Sequence, residues 1–535
     1  MKKTALAALI MSSVLLTACG NDGSDGKNGI NGTDGTNGSN GSNGSNGTNG
    51  QTSLIMQQAL ALGDQHCWMG GTAVQSGLDA NSNALLDASE INQASTLCQP
   101  NAFAFAGVRL PYQSISYTSS DYIAANVDLR NGGYGSDMTA HPSNPMQFYA
   151  LTDRGPNADF TGDQGDGKMF ITPDYTPRIG LFEVQANNQV RQLKTILLRR
   201  PDGTAVTGLP NPVGLGGTKE LPYDTSGKVL AVDPNQPYDA NSNPSRTDDY
   251  GIDSEGLVAM PDGTFWVSDE YGPHIVHFNA DGIEIGRINA FANDSRDTFH
   301  LPAEFAKRRA NRGMEGLTVT PDHKTLVGIM QSTLSNPDKS VNKLTVTRIV
   351  TINLETGKVA QYLYKQEIAA NSNSAIVALS ATSFLVLERD GNFYKDGSDV
   401  MKHVYKISLT GATNLEDVAE TDSIKQDASL GLIINGKTLE QVELADGWAG
   451  LTAAGITPVS KALVLDMGAQ VNYAHDKMEG LWLINPTRLG VINDDDFAVE
   501  SINNQVVQKY LDKAKTRIDG STLYVIDGLD LSAAP

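Results

Sequence analysis

Three Glu residues recur in the same local setting along this chain. Each is followed by Gly and Leu, and a Val stands twelve residues further on. The three triplets are Glu255-Gly256-Leu257, Glu315-Gly316-Leu317 and Glu479-Gly480-Leu481, and the matching valines are Val267, Val327 and Val491. A unit that recurs at fixed internal spacing indicates a structural repeat. If such units surround an axis, their carboxylates converge and require a cation or a cationic ligand.

Further acids occupy comparable strand ends and extend this candidate metal site. Ligands that are all oxygen favour Ca²⁺, with Mg²⁺ as the alternative, over zinc. A structural role is the competing interpretation, because a Glu before Gly can cap backbone amides where a strand begins. The candidate ligands are Glu255, Glu315, Glu479, Asp269, Asp494, Asp153 and Glu388.

Basic residues accompany these acids and suggest chemistry on a phosphoester. Arg presents a fork of donors that matches phosphate oxygens. We therefore take Arg154, Arg389 and Glu315 as the catalytic candidates. Ion pairs of Arg154 with Asp153 and of Arg389 with Asp390 are the structural alternative. The main domain has no Gly-x-Ser-x-Gly motif, which gives a serine esterase little support.

Residues 101–535 read as short apolar strands separated by Gly, Pro, Asp and Asn turns. The clearest helical segment is 302–312. Strand-like segments recur at steps of about 60 residues, which divides this region into six or seven units. We therefore predict an all-β fold, a β-propeller of six or seven blades, with a double-sheet sandwich as the alternative. The strands lie in 147–155, 264–270, 325–330, 383–391, 462–468 and 489–495.

Residues 51–100 form a small module with two cysteines, Cys67 and Cys98, that we expect to form one disulfide. Between them lies an EF-hand-like calcium loop. Position 6 of the loop is Ala84 rather than the usual Gly, and an Asn- and Asp-rich surface turn is the alternative. Residues 63–99 resemble small Cys-bounded calcium modules that follow Gly-x-x tails in bacterial surface lipoproteins. The candidate ligands are Asp79, Asn81, Asn83, Leu85 (through its carbonyl), Asp87 and Glu90.

The N-terminus predicts export. Residues 1–18 read as a lipoprotein signal peptide, and Cys19 stands where lipidation requires it. A plain secretory signal is the alternative. Residue 20 is Gly rather than Asp, which fits sorting to the outer membrane, on its periplasmic or its outer side.

Residues 19–50 form a collagen-like spacer with Gly at every third position from Gly20 to Gly50 but without Pro. A triple helix is poorly supported without Pro, so we favour a flexible, disordered spacer and a monomer over a trimer.

The composition limits the partners. Of 535 residues, 61 are acidic and 40 basic, for a formal net charge of −21. Such a field repels nucleic acid and anionic lipid and favours cations. We expect no nucleic-acid partner and a membrane contact through the lipid anchor alone.

The main domain resembles a known family, the "esterase-like activity of phytase" family of phytase-like propellers. The resemblance spans about residues 105–500. It implies a propeller fold and a small phosphoester or ester substrate. The segments that carry it are 153–156, 253–257, 265–273, 301–302, 311–317, 387–390, 479–481 and 493–497.

Three functions follow as hypotheses. The first is a metal-dependent phosphoester hydrolase, phytase-like or phosphodiesterase-like, at the cell surface. The second is a calcium-dependent lactone or carboxylester hydrolase. The third is a non-catalytic surface propeller that binds a ligand.

Overall fold

The computed structural model describes residues 38–39, 41–47, 50–394 and 399–532. The predicted signal peptide (1–18), the lipidation site Cys19 and most of the Gly-x-x spacer lie outside these residues. Within the described part of the chain, no helix combines the length and the apolar character needed to cross a membrane.

The small module is a three-stranded antiparallel sheet, β1 (Thr52–Leu60), β2 (Gly71–Asp79) and β3 (Ile91–Cys98), in the order β1–β2–β3. The predicted disulfide between Cys67 and Cys98 is confirmed, with Cα atoms 5.0 Å apart. Trp68 is buried and meets the rings of Phe103 and Trp482 edge-on at centroid distances of 5.4 and 6.2 Å. The module is thereby anchored to the hydrophobic core of the main domain.

The main domain contains 29 further strands among the described residues. Its first half comprises β4 (Val108–Arg109), β5 (Asp137–Ala140), β6 (Gln147–Leu151), β7 (Asn157–Gly162), β8 (Gly165–Phe170), β9 (Arg178–Gln185), β10 (Gln189–Leu197), β11 (Leu221–Tyr223), β12 (Ser254–Ala259), β13 (Phe265–Asp269), β14 (Ile275–Phe278), β15 (Glu284–Asn289) and β16 (Asp297–His300).

Its second half comprises β17 (Met314–Val319), β18 (Thr325–Met330), β19 (Val346–Asn353), β20 (Val359–Lys365), β21 (Ser372–Ala378), β22 (Ser383–Arg389), β23 (Lys402–Ser408), β24 (Ile424–Asp427), β25 (Gly431–Ile434), β26 (Lys437–Thr438), β27 (Ser460–Asp466), β28 (Met478–Asn485), β29 (Arg488–Asn493), β30 (Val499–Ile502), β31 (Gln505–Gln508) and β32 (Thr522–Asp527).

Five sheets of four or five strands build the domain. Their orders are β5–β6–β9–β10, β12–β13–β14–β15–β16, β17–β18–β19–β20, β21–β22–β23–β27 and β28–β29–β32–β4. In the last sheet β4, from the start of the domain, pairs with β32 near its end. Hydrophobic clusters lie between neighbouring sheets. One of them joins Val327 and Ile329 of β18 to Ile376 of β21 and Val386 of β22.

Five strands, one from each of these sheets, lie side by side at the centre of the domain. They are β5, β12, β17, β21 and β28. Along the chain β12 contacts β17, β17 contacts β21, and β21 contacts β28, while β5 contacts both β28 and β12. A cavity of about 180 Å³ is lined by residues from all five of these strands, including Met138, Leu257, Leu317, Ile376 and Leu481. The fold is therefore all-β and propeller-like, with an axial cavity.

The six predicted strand segments are confirmed, but six or seven blades are not. Long insertions occupy part of the chain length that the repeat estimate divided into blades. They form three smaller sheets, β7–β8–β11, β24–β25–β26 and β30–β31.

The described helices are few. α1 (Leu439–Ala453) begins with a capping box between Thr438 and Gln441, and α2 (Met467–Val471) is short. The helix predicted over 302–312 is wrong, because only Ala303–Lys307 forms a 3-10 turn. Arg308 ends that turn and donates from Nε to the Tyr271 carbonyl at 2.6 Å. The remaining 3-10 turns are Ala88–Glu90, Ala102–Ala104, Val213–Leu215, Lys339–Val341, Leu415–Asp417 and Asp496–Ala498.

Candidate functional site

β-Bulges place the repeated glutamates at the end of the axial cavity. On β17 and β28, the residues that flank the Glu pair with consecutive residues of the neighbouring strand. Glu315 and Glu479 are therefore extra residues in their ladders. On β12 the same kind of register shift covers Glu255. A bulge re-aims a side chain that regular alternation would direct elsewhere, which is why the same Glu recurs at each of these strands.

The Gly after each Glu allows the central strands to approach one another. A Cβ on Gly256 would lie 2.7 Å from the carbonyl oxygen of Glu315 on the next central strand. A Cβ on Gly316 would lie 2.8 Å from the backbone of Ala375. Such distances are too short for a side chain, so the triplet combines a bulged Glu with a Gly that packs one sheet on the next.

Asp253, Glu255 and Glu270 form the first carboxylate cluster, with one oxygen from each within 4.8 Å of the others. All three residues are buried. The Asp253 Oδ2 atom lies 3.3 Å from Nε of Arg154, and Glu270 Oε1 accepts a hydrogen bond of 2.9 Å from Gln331 Nε2. Glu255 is 9% exposed, and its carboxylate forms no hydrogen bond or ion pair with any residue the structure describes.

The charges in this cluster are poorly compensated. Burial raises the pKa of Glu255 well above its usual value, and the charges of Asp253 and Glu479 raise it further. Burial likewise raises the pKa of Glu270, with Asp253 and Glu315 as the next causes. Because the charged forms are disfavoured, a cation placed among these oxygens would be strongly stabilised. Two oxygens bound to one Ca²⁺ can lie up to about 5 Å apart, so the cluster fits that ion.

Asp153, Asp494 and Asp496 form a second cluster of the same size. Here the chain supplies its own cations. Lys477 Nζ lies 3.0 Å from Asp494 Oδ2 and 2.6 Å from Asp496 Oδ1. Lys509 Nζ lies 2.6 Å from Asp496 Oδ2. Burial alone would raise the pKa of Asp496, but these two lysines hold it well below its usual value. This cluster therefore needs a metal less than the first does.

The remaining two repeated glutamates flank Arg389. Arg389 donates from Nη2 to Oε1 of Glu479, whereas its buried Nε and the buried Oε2 of Glu315 have no hydrogen-bond partner among described residues. Burial raises the pKa of Glu315 to about 7, and the charge of Glu479 adds to the shift. Burial also raises the pKa of Glu479 to about 7.

A cavity of about 320 Å³ opens over the first cluster. Eight acids and four bases line it, so negative charge is in excess. Glu255, Asp253 and Glu270 lie on its wall together with Arg154 and Lys477. Of the predicted catalytic residues only Arg154 lines this cavity, whereas Arg389 pairs with Glu479 and Glu315 is buried elsewhere. The guanidinium of Arg154 is buried and is also 3.2 Å from Glu220 Oε1.

Besides Glu315 and Glu479, two more predicted metal ligands, Asp269 and Glu388, lie outside both clusters and accept backbone hydrogen bonds. Asp269 accepts hydrogen bonds of 2.8 Å from the amides of Asp253 and Gly272. Glu388 accepts from Tyr364 Oη at 2.8 Å and from the amide of Glu367 at 2.7 Å, and Lys461 Nζ lies 3.2 Å away. These environments favour structural roles for both acids.

Four site residues were absent from the predicted set: Asp253, Glu270, Asp496 and Lys509. Asp253 stands two residues before Glu255, and Glu270 directly follows Asp269, so both lie beside residues that were predicted. Adjacent residues point to opposite sides of a regular strand, and the sequence carried no signal of which acid faces the axis.

The predicted calcium loop folds around its own side chains. Asp79 accepts from the amides of Asn83 at 3.0 Å and Ala84 at 2.9 Å. Glu90 Oε1 accepts from the amide of Ala80 at 2.8 Å, and Asp87 Oδ2 accepts from Asn83 Nδ2 at 3.0 Å. Ala84 adopts a φ of +62°, the left-handed conformation that a Gly would take in its place.

Asn81 and Leu85 are the remaining candidate ligands of that loop. Asn81 donates from Nδ2 to Asp87 Oδ2 at 2.7 Å, and Leu85 is 66% exposed. The oxygens of the loop thus converge on one turn, and calcium binding there stays a prediction.

A propeller-like all-β fold whose axis ends in buried carboxylates defines a class of proteins with an acidic axial site. Residues 130–497 match the family described as "Phytase-like: Esterase-like activity of phytase", and the chain belongs to that family. Residues 52–98 match a domain of unknown function (DUF7151), which corresponds to the disulfide-bonded module.

One curated relative is an "Uncharacterized secreted protein" of Arthroderma benhamiae, 29% identical over 284 residues, which are 46% of this chain and 54% of the relative. The alignment thus spans about half the length of that relative. Among solved structures, a PQQ-bound aldose sugar dehydrogenase from Streptomyces coelicolor is 9% identical with a TM-score of 0.28, over 89% of this chain and 99% of that one. A puromycin-hydrolyzing peptidase from Mycobacterium tuberculosis is 13% identical with a TM-score of 0.27, over 75% and 55%.

Proposed function

We propose that this protein is an exported, calcium-dependent hydrolase of phosphoesters, with Asp253, Glu255 and Glu270 as the metal-binding carboxylates. One observation carries the proposal: Glu255 is buried at the wall of a cavity and has no cationic partner among the described residues. The family, named for an esterase-like activity, supports ester hydrolysis.

The chain's own cations suit the binding of a phosphate group. Arg154 and Lys477 line the same cavity as the carboxylates, so a phosphoester there meets a guanidinium and an ammonium. Arg154 is held in place by Asp253 and Glu220 and is already oriented before substrate binds. When bound, Ca²⁺ would polarise the phosphoryl group and orient a water molecule.

The charge of the cavity limits the substrate. Eight acids against four bases repel a polyanion even after one Ca²⁺ is bound. A substrate with one phosphate, or a calcium–substrate complex, fits this field better than a highly phosphorylated molecule such as phytate.

The test is hydrolysis of p-nitrophenyl phosphate and bis-p-nitrophenyl phosphate, with p-nitrophenyl butyrate for carboxylesterase activity. We expect calcium-dependent turnover of a phosphoester, lost with EDTA and reduced at least about 100-fold in Glu255→Gln, which removes one metal ligand. Glu355→Gln, on an exposed side chain, is the matched control and keeps full activity. Turnover of the butyrate alone favours the lactone or carboxylester hydrolase, and no turnover with intact calcium binding favours a non-catalytic binder.

We infer five blades for the propeller. Five sheets of at least four strands contribute the five central strands, and β4 pairs with β32 across the two ends of the domain. Such pairing would close the ring without an exposed edge. An experimental structure that shows an additional complete sheet around the axis contradicts this number.

We also propose that Cys19 carries the lipid that anchors the protein in the outer membrane and that the spacer holds a monomer away from it. The curated relative from Arthroderma benhamiae is called secreted, which agrees with export. Cys19→Ala is expected to move the protein from the membrane fraction to the soluble fraction. A protein that stays with the membrane in this variant rules the anchor out.

A further inference from the structure

A further cavity, of about 460 Å³, has the opposite electrostatic character to the acid-lined cavity over Asp253, Glu255 and Glu270. Arg109, Arg130 and Arg517 line it, together with His475 and Tyr524, and no Asp or Glu among the described residues belongs to its lining. The chain carries 61 acidic and 40 basic residues, so three guanidiniums around one cavity run against its overall charge. A concentration of arginines in a concave site favours an oxyanion ligand.

Two of the arginines, Arg109 and Arg130, donate hydrogen bonds to backbone carbonyls. Arg109 donates from Nη2 to the carbonyl of Ile518 at 2.6 Å. Arg130 donates from Nη1 to the carbonyl of Asp519 at 3.0 Å and from Nε to Asp128 at 2.8 Å. Each guanidinium has five N–H donors, so both keep donors beyond these contacts. The described chain places no carboxylate within 4.0 Å of the Arg109 guanidinium.

The third arginine is more loosely held. The side chain of Arg517 is 62% exposed, and its contact with Asp512 is 3.7 Å long. An exposed ion pair of that length contributes little, so Arg517 can turn toward a ligand at small cost. Arg109 is likewise exposed, whereas Arg130 is buried. The cavity thus combines one fixed cation with two adjustable ones.

A buried polar chain forms the floor of the cavity. His475 Nδ1 lies 2.7 Å from Asp519 Oδ1, and His475 Nε2 lies 3.2 Å from Tyr524 Oη. Asp519 holds one ring nitrogen of His475 and the hydroxyl of Tyr524 contacts the other, which fixes the orientation of the ring. The floor is polar and ordered, which suits a specific ligand better than bulk solvent.

We propose that this arginine-lined cavity is a binding site for a phosphate group, either free phosphate or the phosphate of a small monoester. The site is separate from the axial carboxylates and independent of the proposed hydrolase function. The guanidinium forks of Arg109 and Arg517 supply paired donors for the phosphate oxygens, and Arg130 supplies a fixed positive charge.

Isothermal titration calorimetry of the EDTA-treated full chain tests this proposal, with inorganic phosphate and glycerol 3-phosphate as separate probes. Removal of divalent cations keeps phosphate away from the axial site. At least one probe is expected to bind, and the one that binds tells free phosphate from a monoester. Arg109→Gln combined with Arg517→Gln is expected to weaken binding at least about tenfold, because it removes the paired donors of two exposed guanidinium groups.

Two controls separate this site from the axial one. Arg191→Gln removes an exposed arginine elsewhere on the surface and leaves binding unchanged. Glu255→Gln also leaves binding unchanged if the arginine-lined cavity is the site. Absence of binding by both probes overturns the proposal, as does undiminished binding by the double variant. Binding that requires Ca²⁺ and disappears in Glu255→Gln belongs to the axial site and overturns it as well.

Discussion

Lys477 places its Nζ 2.6 Å from Oδ1 of Asp496. This contact distinguishes two carboxylate clusters that are alike in size, although Asp496 is only half-buried. The cluster of Asp153, Asp494 and Asp496 is compensated by lysines, whereas the cluster of Asp253, Glu255 and Glu270 has a guanidinium at one edge only. A bound cation would therefore stabilise the cluster of Asp253, Glu255 and Glu270 more than it would stabilise the lysine-compensated cluster.

The first prediction concerns metal affinity. Glu255→Gln is expected to weaken Ca²⁺ binding at the propeller at least about tenfold, because it removes a buried anionic ligand. Calorimetric titration of EDTA-stripped protein measures it, and Glu355→Gln is the control of the same chemistry at an exposed position. A second binding event from the module loop, if present, persists in both variants and is removed by Asp79→Asn. Equal Ca²⁺ affinity at the propeller in wild type and Glu255→Gln contradicts the assignment.

The second prediction concerns pH. Burial raises the pKa of Glu315 and that of Glu479 to about 7 in the folded protein. An unfolded chain loses these protons near pH 4.3, so between about pH 4.3 and 7 the folded state binds more protons than the unfolded state. The stability of the metal-free protein should therefore fall as pH rises through that window.

Urea denaturation at about pH 5 and about pH 7.5 measures this change. Glu315→Gln cannot ionise and should show a smaller decline than wild type. An identical pH dependence in the two proteins would contradict the assigned role of burial at Glu315.

The third prediction concerns the packing of the central strands. Gly316→Ala is expected to destabilise the protein by roughly 1–3 kcal/mol, because the new Cβ would lie 2.8 Å from backbone atoms of the neighbouring central strand. Gly214→Ala is the matched control, since no atom lies within 4 Å of its added Cβ. The free energy of unfolding from denaturant titration compares them. Equal stability in the two variants would show that the strands are not so closely packed.

The fourth prediction concerns the small module. Cys67 and Cys98 are 31 residues apart, and a cross-link over such a loop contributes roughly 3–4 kcal/mol. Replacing both by Ser should increase hydrogen exchange in β1, β2 and β3 while leaving the central strands protected. Loss of protection in the central strands as well would show that the module supports the propeller rather than only docking on it.

The sequence predicted the elements well where burial dominates. The segments around Val267, Val327 and Leu385 are buried on both faces, and continuous apolar runs of that kind are strands in this fold. The recurring Glu-Gly-Leu triplet also indicated the central position of β12, β17 and β28, the strands that carry it. The helix α1 escaped notice, although its capping box at Thr438 and Gln441 was present in the sequence.

The composition of the site was harder to predict. A β-bulge adds one residue to a strand and reverses which side chains face the axis, and a bulge has no fixed sequence signature. Glu270, which lines the cavity, follows Asp269 just beyond the end of β13, and adjacency alone did not tell which of the two acids faces it. Lys509 directly follows β31 and lies outside the segments that carry the family resemblance. It reaches Asp496 only in the folded chain.

Anomalous diffraction from crystals of the calcium-loaded protein tests the central claim most directly. We predict a calcium peak bonded to oxygens of Asp253, Glu255 and Glu270 at about 2.3–2.6 Å. Diffraction data that contain no such peak at saturating Ca²⁺, or that place it on the lysine-compensated aspartates instead, would contradict the account.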